Sequence, residues 1–188
     1  MEVFLLSGKS ASGKDTLANI MREKLEAVGC KTLILHFADL VKFYCKQYWN
    51  WNGEKDENGR ALLQKVGTDI MRNFDKDYWT RIIGEFLAAL NIYENFDCAF
   101  IPDARFPNEI EVVQDYNPQA ITIRLERYNK YGSPYTNPLL TSEQLQHASE
   151  VGLDEYGYFD YIVENHSEDL SDLESAAKLI LTDTGLLV

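Results

Sequence analysis

The stretch Gly8-Lys9-Ser10-Ala11-Ser12-Gly13-Lys14-Asp15-Thr16 decides the reading of this chain. It follows the apolar run Val3-Phe4-Leu5-Leu6. It leads into Leu17, Ile20, Met21 and Leu25, spaced as on the buried face of a helix. Strand, glycine-bounded loop, lysine and helix make the context of a phosphate-binding P-loop. Gly8 and Gly13 carry no side chain, so the backbone can curl and approach a ligand closely. The freed amide groups of Ser10, Ala11 and Ser12 then form an anion-binding nest. The helix beginning near Lys14 adds its positive dipole end, and Lys14 adds a full charge at the β- and γ-phosphates of a nucleotide. One departure from the usual pattern stands out. The position directly after the lysine, normally a magnesium-binding Ser or Thr, is Asp15, and the hydroxyl comes one later at Thr16. Asp15 either holds magnesium through water or only caps the helix.

A chain of 188 residues with 45% hydrophobic content, 11 Tyr, 9 Phe and 3 Trp has enough apolar material for one domain with its own core. No apolar run reaches membrane-spanning length, and no basic segment followed by an apolar stretch marks a signal peptide, so a cytoplasmic location, in a bacterial or phage-infected host cell, is expected. Cys30, Cys45 and Cys98 are odd in number and widely spaced, which suits reduced thiols rather than a zinc site or a disulfide framework. The net charge of −12 speaks against nucleic acid as a partner. A phosphate substrate needs only a few local cations, which makes each lysine or arginine beside a strand end worth tracking.

Strand and helix alternate along the chain. Strands are expected over 2–6, 32–37, 98–102, 120–125 and 159–163. Helices are expected over 14–28, 39–49, 60–74, 77–93, 108–115 and 170–181. Short apolar strands separated by helices predict an α/β fold with a parallel sheet covered on both faces. Residues 127–139 break the pattern with Gly132, Pro134, Pro138 and three tyrosines, and a loop of that length is usually functional or mobile. In an open α/β sheet, ligands sit beyond the carboxyl ends of the strands. Asp39 and Lys42 follow strand two there. Asp103 follows strand three and can join a magnesium shell, and Arg105 can fork onto a phosphate. The alternatives are a helix-capping Asp and a surface Arg. Arg60, Gln64 and Arg72 can meet a phosphorylated acceptor; the alternative for Arg60 and Arg72 is a surface residue paired with an acid.

Four blocks together carry a resemblance: the loop Gly8–Thr16, Leu62-Leu63-Gln64-Lys65-Val66-Gly67-Thr68-Asp69, Asp103-Ala104-Arg105-Phe106-Pro107-Asn108-Glu109 and His147-Ala148-Ser149-Glu150-Val151-Gly152-Leu153. In content and order they resemble deoxynucleoside monophosphate kinases of bacteriophage type. The resemblance implies a three-layer P-loop kinase fold with five parallel strands in the order 2-3-1-4-5. It implies an acceptor-binding helical region over about 39–95 and a lid over about 126–146. ATP and Mg²⁺ would serve as donor and cofactor, and a deoxynucleoside 5′-monophosphate as acceptor. Asp15, Thr16 and Asp103 would face the metal. Arg105 would bind the acceptor phosphate with help from Arg72, Arg127 and Lys130 would lie in the lid, and Asn165 would sit near the adenine. Lys14, Asp103, Arg105 and Arg127 would form the catalytic set. The acceptor oxygen is anionic near neutral pH, so the expected chemistry is in-line positioning and charge stabilisation without a general base. Other readings remain open: an acceptor such as phosphomevalonate or dephospho-coenzyme A, or nucleotide binding without transfer. A guanine-specific switch would need Asn-Lys-x-Asp, and Asn129-Lys130 is followed by Tyr131 and Gly132. Monomer and homodimer are equally compatible with the sequence.

Overall fold

A computed structural model describes residues 1–166 and 168–187. Five strands, β1 (Glu2–Gly8), β2 (Thr32–Ile34), β3 (Cys98–Ala104), β4 (Ile121–Arg127) and β5 (Tyr161–Asn165), form one sheet. They pair in parallel in the order β2-β3-β1-β4-β5, the order that the family resemblance implies. Alternation along β1 explains the layers. Phe4 and Leu6 face one side, with Leu17, Met21 and Leu25 of α1 (Lys14–Ala27) and Leu173, Ala177 and Ile180 of the last helix (Ser171–Asp183). Val3 and Leu5 face the other, with Ile83 and Leu87 of one helix (Tyr78–Tyr93) and Ile110 and Val113 of the next (Pro107–Tyr116). A strand buried on both faces reads as a continuous apolar run, as β1 does.

Two further helices precede the long Tyr78–Tyr93 helix: α2 (Ala38–Tyr48) and α3 (Glu57–Gln64). The helix expected over 60–74 is instead three pieces: α3, a π-helical segment Lys65–Ile70 and a short α4 (Met71–Phe74). Within the wider turn the Met71 amide reaches back to the Val66 carbonyl, and the Trp79 indole N–H donates to the Gly67 carbonyl at 2.9 Å. A side chain inserted into the helical ladder is a recognised cause of such a break. Val41, Cys45, Val66 and Trp79 form a small core of their own beside the sheet.

Numbered in chain order, α5 is Tyr78–Tyr93, α6 is Pro107–Tyr116, α7 is Ser142–Leu145, α8 is Ala148–Val151 and α9 is Ser171–Asp183. β1, β4 and β5 each run two residues past their expected ends, and the ends of β2 and β3 differ for clear reasons. β2 stops at Ile34 rather than 37, because the Asp103 carboxylate accepts the Phe37 and Ala38 amides at 3.0 Å each and turns the chain into α2. β3 runs on through Pro102, which has no amide to donate. The β1–β3 register slips from Leu5↔Ile101 to Ser7↔Ala104, absorbing the extra residue as a bulge. The short helices α7 and α8 were outside the expected set; Thr141 and Gln144 cap α7 reciprocally. Cys45 and Cys98 are buried and Cys30 is half-buried, all as free thiols, and burial pushes the Cys98 thiol up to about 12. Among the described residues no helix is long and apolar enough to cross a membrane.

Phe4 and Phe100 stack at 5.2 Å between ring centroids, and both are fully buried. Phe100→Ala is expected to lower the unfolding free energy by about 3–5 kcal/mol, the usual range for a buried Phe. Denaturant titration checks this, and a change under about 1 kcal/mol would show that the sheet does not depend on this stack.

Candidate active site

The loop between β1 and α1 is held by three left-handed or extended-positive residues: Gly8 at φ +149°, Ala11 at φ +62° and Gly13 at φ +107°. The glycines are sterically required. A Cβ on Gly8 would lie 2.5 Å from the Leu125 carbonyl oxygen, and one on Gly13 would lie 3.2 Å from Leu173 Cδ1 and 3.3 Å from Asn165 Nδ2. The loop is thus wedged between β4, β5 and α9. Its lysine is buried. Lys14 Nζ donates to the Gly8 and Lys9 carbonyls at 2.8 Å each and approaches Ser12 Oγ at 3.4 Å. Burial, reinforced by the Arg105 charge, lowers the Lys14 ammonium to about 7; Glu150, Asp15 and Asp103 pull the other way.

The loop opens onto a cavity of about 780 Å³. Lys14, Lys42, Lys55, Arg60, Arg72 and Arg105 all line it, a concentration of cations that the net charge of −12 conceals. Ser10, Ala11, Asp15, Gln64 and Asp103 line it as well. So the structure brings together on one cavity most of the residues singled out in the sequence. Others stand apart from the lining. Asp39 is exposed and pairs with Lys42 at 2.8 Å and with His36 at 3.4 Å. Thr16 is half-buried on α1. Asn165 lies beneath the phosphate loop, where its amide donates to the Ser12 carbonyl at 3.2 Å and its Oδ1 is buried without a partner among the described residues. Arg127 reaches the loop from the end of β4, donating to the Ala11 carbonyl at 2.9 Å and stacking on Tyr135 at 4.3 Å. Asn137 donates to Ser10 Oγ at 2.9 Å, so the segment after β4 touches the loop at two points. Lys130 is exposed beside Tyr131.

Asp103 sits at the end of β3, on the floor of the cavity. Burial raises its carboxyl above the usual range, against His36, Arg105 and the two amides it accepts. Asp15 hydrogen-bonds His36 Nε2 at 3.1 Å; the pairing lowers Asp15 and raises His36. Among the described residues no three His, Cys, Asp or Glu side chains group closely enough to cage a metal ion. Two carboxylates, of Asp15 and Asp103, line the cavity, a donor set of the kind that holds magnesium together with water and substrate phosphates.

Three residues the sequence reading left without a role shape the site. Lys55 lies in a charged turn with no distinguishing pattern; burial together with Lys42 and Arg60 lowers its ammonium. Glu150, on α8, accepts the Ser10 amide at 2.9 Å through one oxygen and Arg105 Nη1 at 2.5 Å through the other. Glu109, at the start of α6, is buried against Arg72. Both acids belong to sequence blocks already noted, but their partners lie 140 and 37 residues away, beyond any local signal.

The parallel order, and a glycine-bounded loop with a buried lysine at the carboxyl end of the central strand, define a P-loop kinase, a phosphotransferase. The chain belongs to the deoxynucleotide monophosphate kinase family, whose model matches residues 36–176. The phosphate loop itself precedes the matched stretch. No protein of curated function matches the sequence. Solved structures share the fold at low identity. A sugar kinase from a Janibacter species is similar at 15% identity with a TM-score of 0.60, over 100% of this chain and 99% of that one. A gluconokinase from Sinorhizobium meliloti is similar at 14% with a TM-score of 0.52, over 97% and 93%. The Mycobacterium tuberculosis APS kinase in complex with AMPPNP and APS is similar at 11% with a TM-score of 0.51, over 98% and 97%.

At pH 8 a lysine lowered to about 7 is mostly neutral, and a bound polyphosphate restores its charge. Calorimetry of tripolyphosphate binding in buffers of different ionisation enthalpy is expected to read an uptake of up to about one proton at pH 8 that fades by pH 6. The uptake should vanish in Lys14→Met. Equal uptake in that variant would assign the proton elsewhere.

Proposed function

We propose that the protein transfers the γ-phosphoryl group of ATP, with Mg²⁺, to a deoxynucleoside or nucleoside 5′-monophosphate, giving the diphosphate and ADP. The observation that carries this reading is that one cavity is lined both by Lys14 and the phosphate-loop residues Ser10 and Ala11 and by Arg60, Arg72 and Arg105. A donor polyphosphate and an acceptor phosphate can therefore lie in one enclosure. Family membership supports the nucleotide acceptor.

In this reading the amides of residues 10–14 and Lys14 cradle the donor phosphates, and Arg105, with Arg72, holds the acceptor phosphate. The helical region of about 39–95 supplies the acceptor pocket. Val41, Leu63 and Trp79 are its apolar walls, and Gln64 and Thr68 its polar atoms. Asp15 and Asp103, which line the cavity, would hold the magnesium ion through water, with Thr16 as a third ligand from the start of α1. The ion would neutralise phosphate charge. The segment of about 126–146 acts as a lid: Arg127 and Asn137 already bind the loop from that side. Asn165 acts by bracing the loop from below through the Ser12 carbonyl. Chemistry needs no general base. The anionic acceptor oxygen is brought in line, Lys14, Arg105 and Arg127 stabilise the developing charge, and closure excludes water.

Lys14→Met is expected to cut turnover by ~10²-fold or more in a folded protein, the scale of a lost electrostatic stabiliser. ADP release measured with ATP against a panel of nucleoside monophosphates, phosphomevalonate and dephospho-coenzyme A identifies the acceptor. Nucleotide binding with no transfer to any of them would overturn the reading.

The Glu150 carboxylate occupies two donors, the Ser10 amide and Arg105, that phosphate needs. Phosphate therefore has to displace it. At pH 6, where Lys14 is charged, Glu150→Gln should bind AMPPNP about tenfold more tightly, the worth of roughly one charge-assisted hydrogen bond. Weaker binding in that variant would show that Glu150 supports the site instead of screening it.

A further inference from the structure

Arg72 and Arg105 come from different parts of the chain, one from α4 and one from the turn after β3, yet one carboxylate organises both. Glu109 has a side chain only 2% exposed. Its Oε2 accepts the backbone amides of Arg105 at 2.5 Å and Phe106 at 3.0 Å. Its Oε1 pairs with Nη2 of Arg72. The Arg72 guanidinium also lies over the Phe106 ring at 4.1 Å, and its Nη1 donates to the Lys76 carbonyl at 3.2 Å. The first pair of bonds fixes the backbone from which the Arg105 side chain departs. The second, with the ring beneath it, fixes the plane of the Arg72 guanidinium at the cavity wall.

An ordinary helix start would use Glu109 only for the local amides, as a capping residue three positions into α6. Two features exceed that role. Its second oxygen is spent on a residue 37 positions earlier, and the pair is buried, with Arg72 only 10% exposed. A buried guanidinium–carboxylate pair is a poor source of stability, because desolvation offsets most of the attraction. It is an effective way to hold a planar fork in one orientation. Burial pushes the Glu109 carboxyl up to about 7, and the Arg72 charge opposes that rise.

We propose that Glu109 is a positioning residue for the transfer reaction: its one carboxylate sets Arg72 and the Arg105 turn at the distance and angle that an acceptor phosphate requires. The inference rests on the acceptor reading given above. Both Glu109 oxygens are taken up by Arg72 and by the Arg105 and Phe106 amides, so it acts through the two arginines. In Glu109→Gln the amide oxygen can still accept the Arg105 and Phe106 amides, while its NH₂ group is turned on Arg72, a donor facing a donor. Helix capping survives and the fork is lost.

The test is steady-state kinetics with ATP and each of the four common deoxynucleoside 5′-monophosphates. Glu109→Gln is expected to lower kcat/KM for the acceptor by about 10- to 100-fold, the scale of a small misplacement of a reacting group. The KM for ATP should change by less than about twofold. In the Arg72→Ala background the same substitution should cause little further loss, since coupled residues are not additive. Equal losses for donor and acceptor, unchanged acceptor kinetics, or additive losses would each overturn the proposal. If Arg72→Ala and Arg105→Ala both leave acceptor kinetics intact, the acceptor reading itself fails, which is a different result. Glu109→Asp keeps the charge and the cap but shortens the reach, so it tests the same idea should the Gln variant not fold. An acceptor-specific loss is expected there too, and wild-type acceptor kinetics would overturn the proposal.

Discussion

The burial of one positive charge, the Lys14 ammonium, constrains the rest of the molecule. An ammonium removed from water needs oxygen partners, and here two backbone carbonyls, of Gly8 and Lys9, provide them. Those carbonyls can converge on Nζ only because the chain between β1 and α1 folds back on itself, through positive φ at Gly8, Ala11 and Gly13. The fold-back in turn needs neighbours without intervening side-chain bulk: the Leu125 carbonyl presses on Gly8, and Leu173 and Asn165 press on Gly13. The central position of β1, the extent of β4 and β5 and the seating of α9 are therefore parts of one arrangement around a single charge.

Local and global charge are decoupled in this protein. Acids outnumber bases enough to leave −12, which keeps the exterior anionic. The cavity collects six cations, and acids meet them one by one: Glu109 against Arg72, Glu150 against Arg105, Asp39 against Lys42. These pairings do not only cancel charge. Glu109 joins Arg72 to the turn at Arg105, whereas Glu150, from the four-residue α8, joins Arg105 to the phosphate loop through the Ser10 amide.

The strands and their faces were legible because a period of two, and a fully apolar run at β1, arise from local sequence. The phosphate loop was legible because glycine has a steric reason to stand at positions 8 and 13. The places of Asp103 and Arg105 on the cavity were legible from their position at the carboxyl end of a strand, although the amides that Asp103 accepts come from residues 37 and 38. Helix 60–74 read as continuous because its apolar spacing is helical throughout; the π-helical break depends on Trp79 reaching Gly67 from another helix. Asp39 read as a site residue from its place after β2; its carboxylate is exposed and pairs with Lys42, which lines the cavity. Lys55 carries no local signal, and only the folding of its turn toward Lys42 and Arg60 gives it a place on the cavity.

By itself the sequence determined the alternation of strand and helix, the bend that receives phosphate, and the residue types available for phosphoryl chemistry. These follow from short-range sterics and periodicity, which each segment carries with it. Only the tertiary structure decided which charges meet. Whether Arg105 faces Glu150, whether Arg72 shares a carboxylate with the turn at Arg105, and whether Asn165 reaches beneath the loop all depend on segments far apart in the chain. Charged side chains are long and adaptable, so their partners are chosen by packing and burial rather than by spacing.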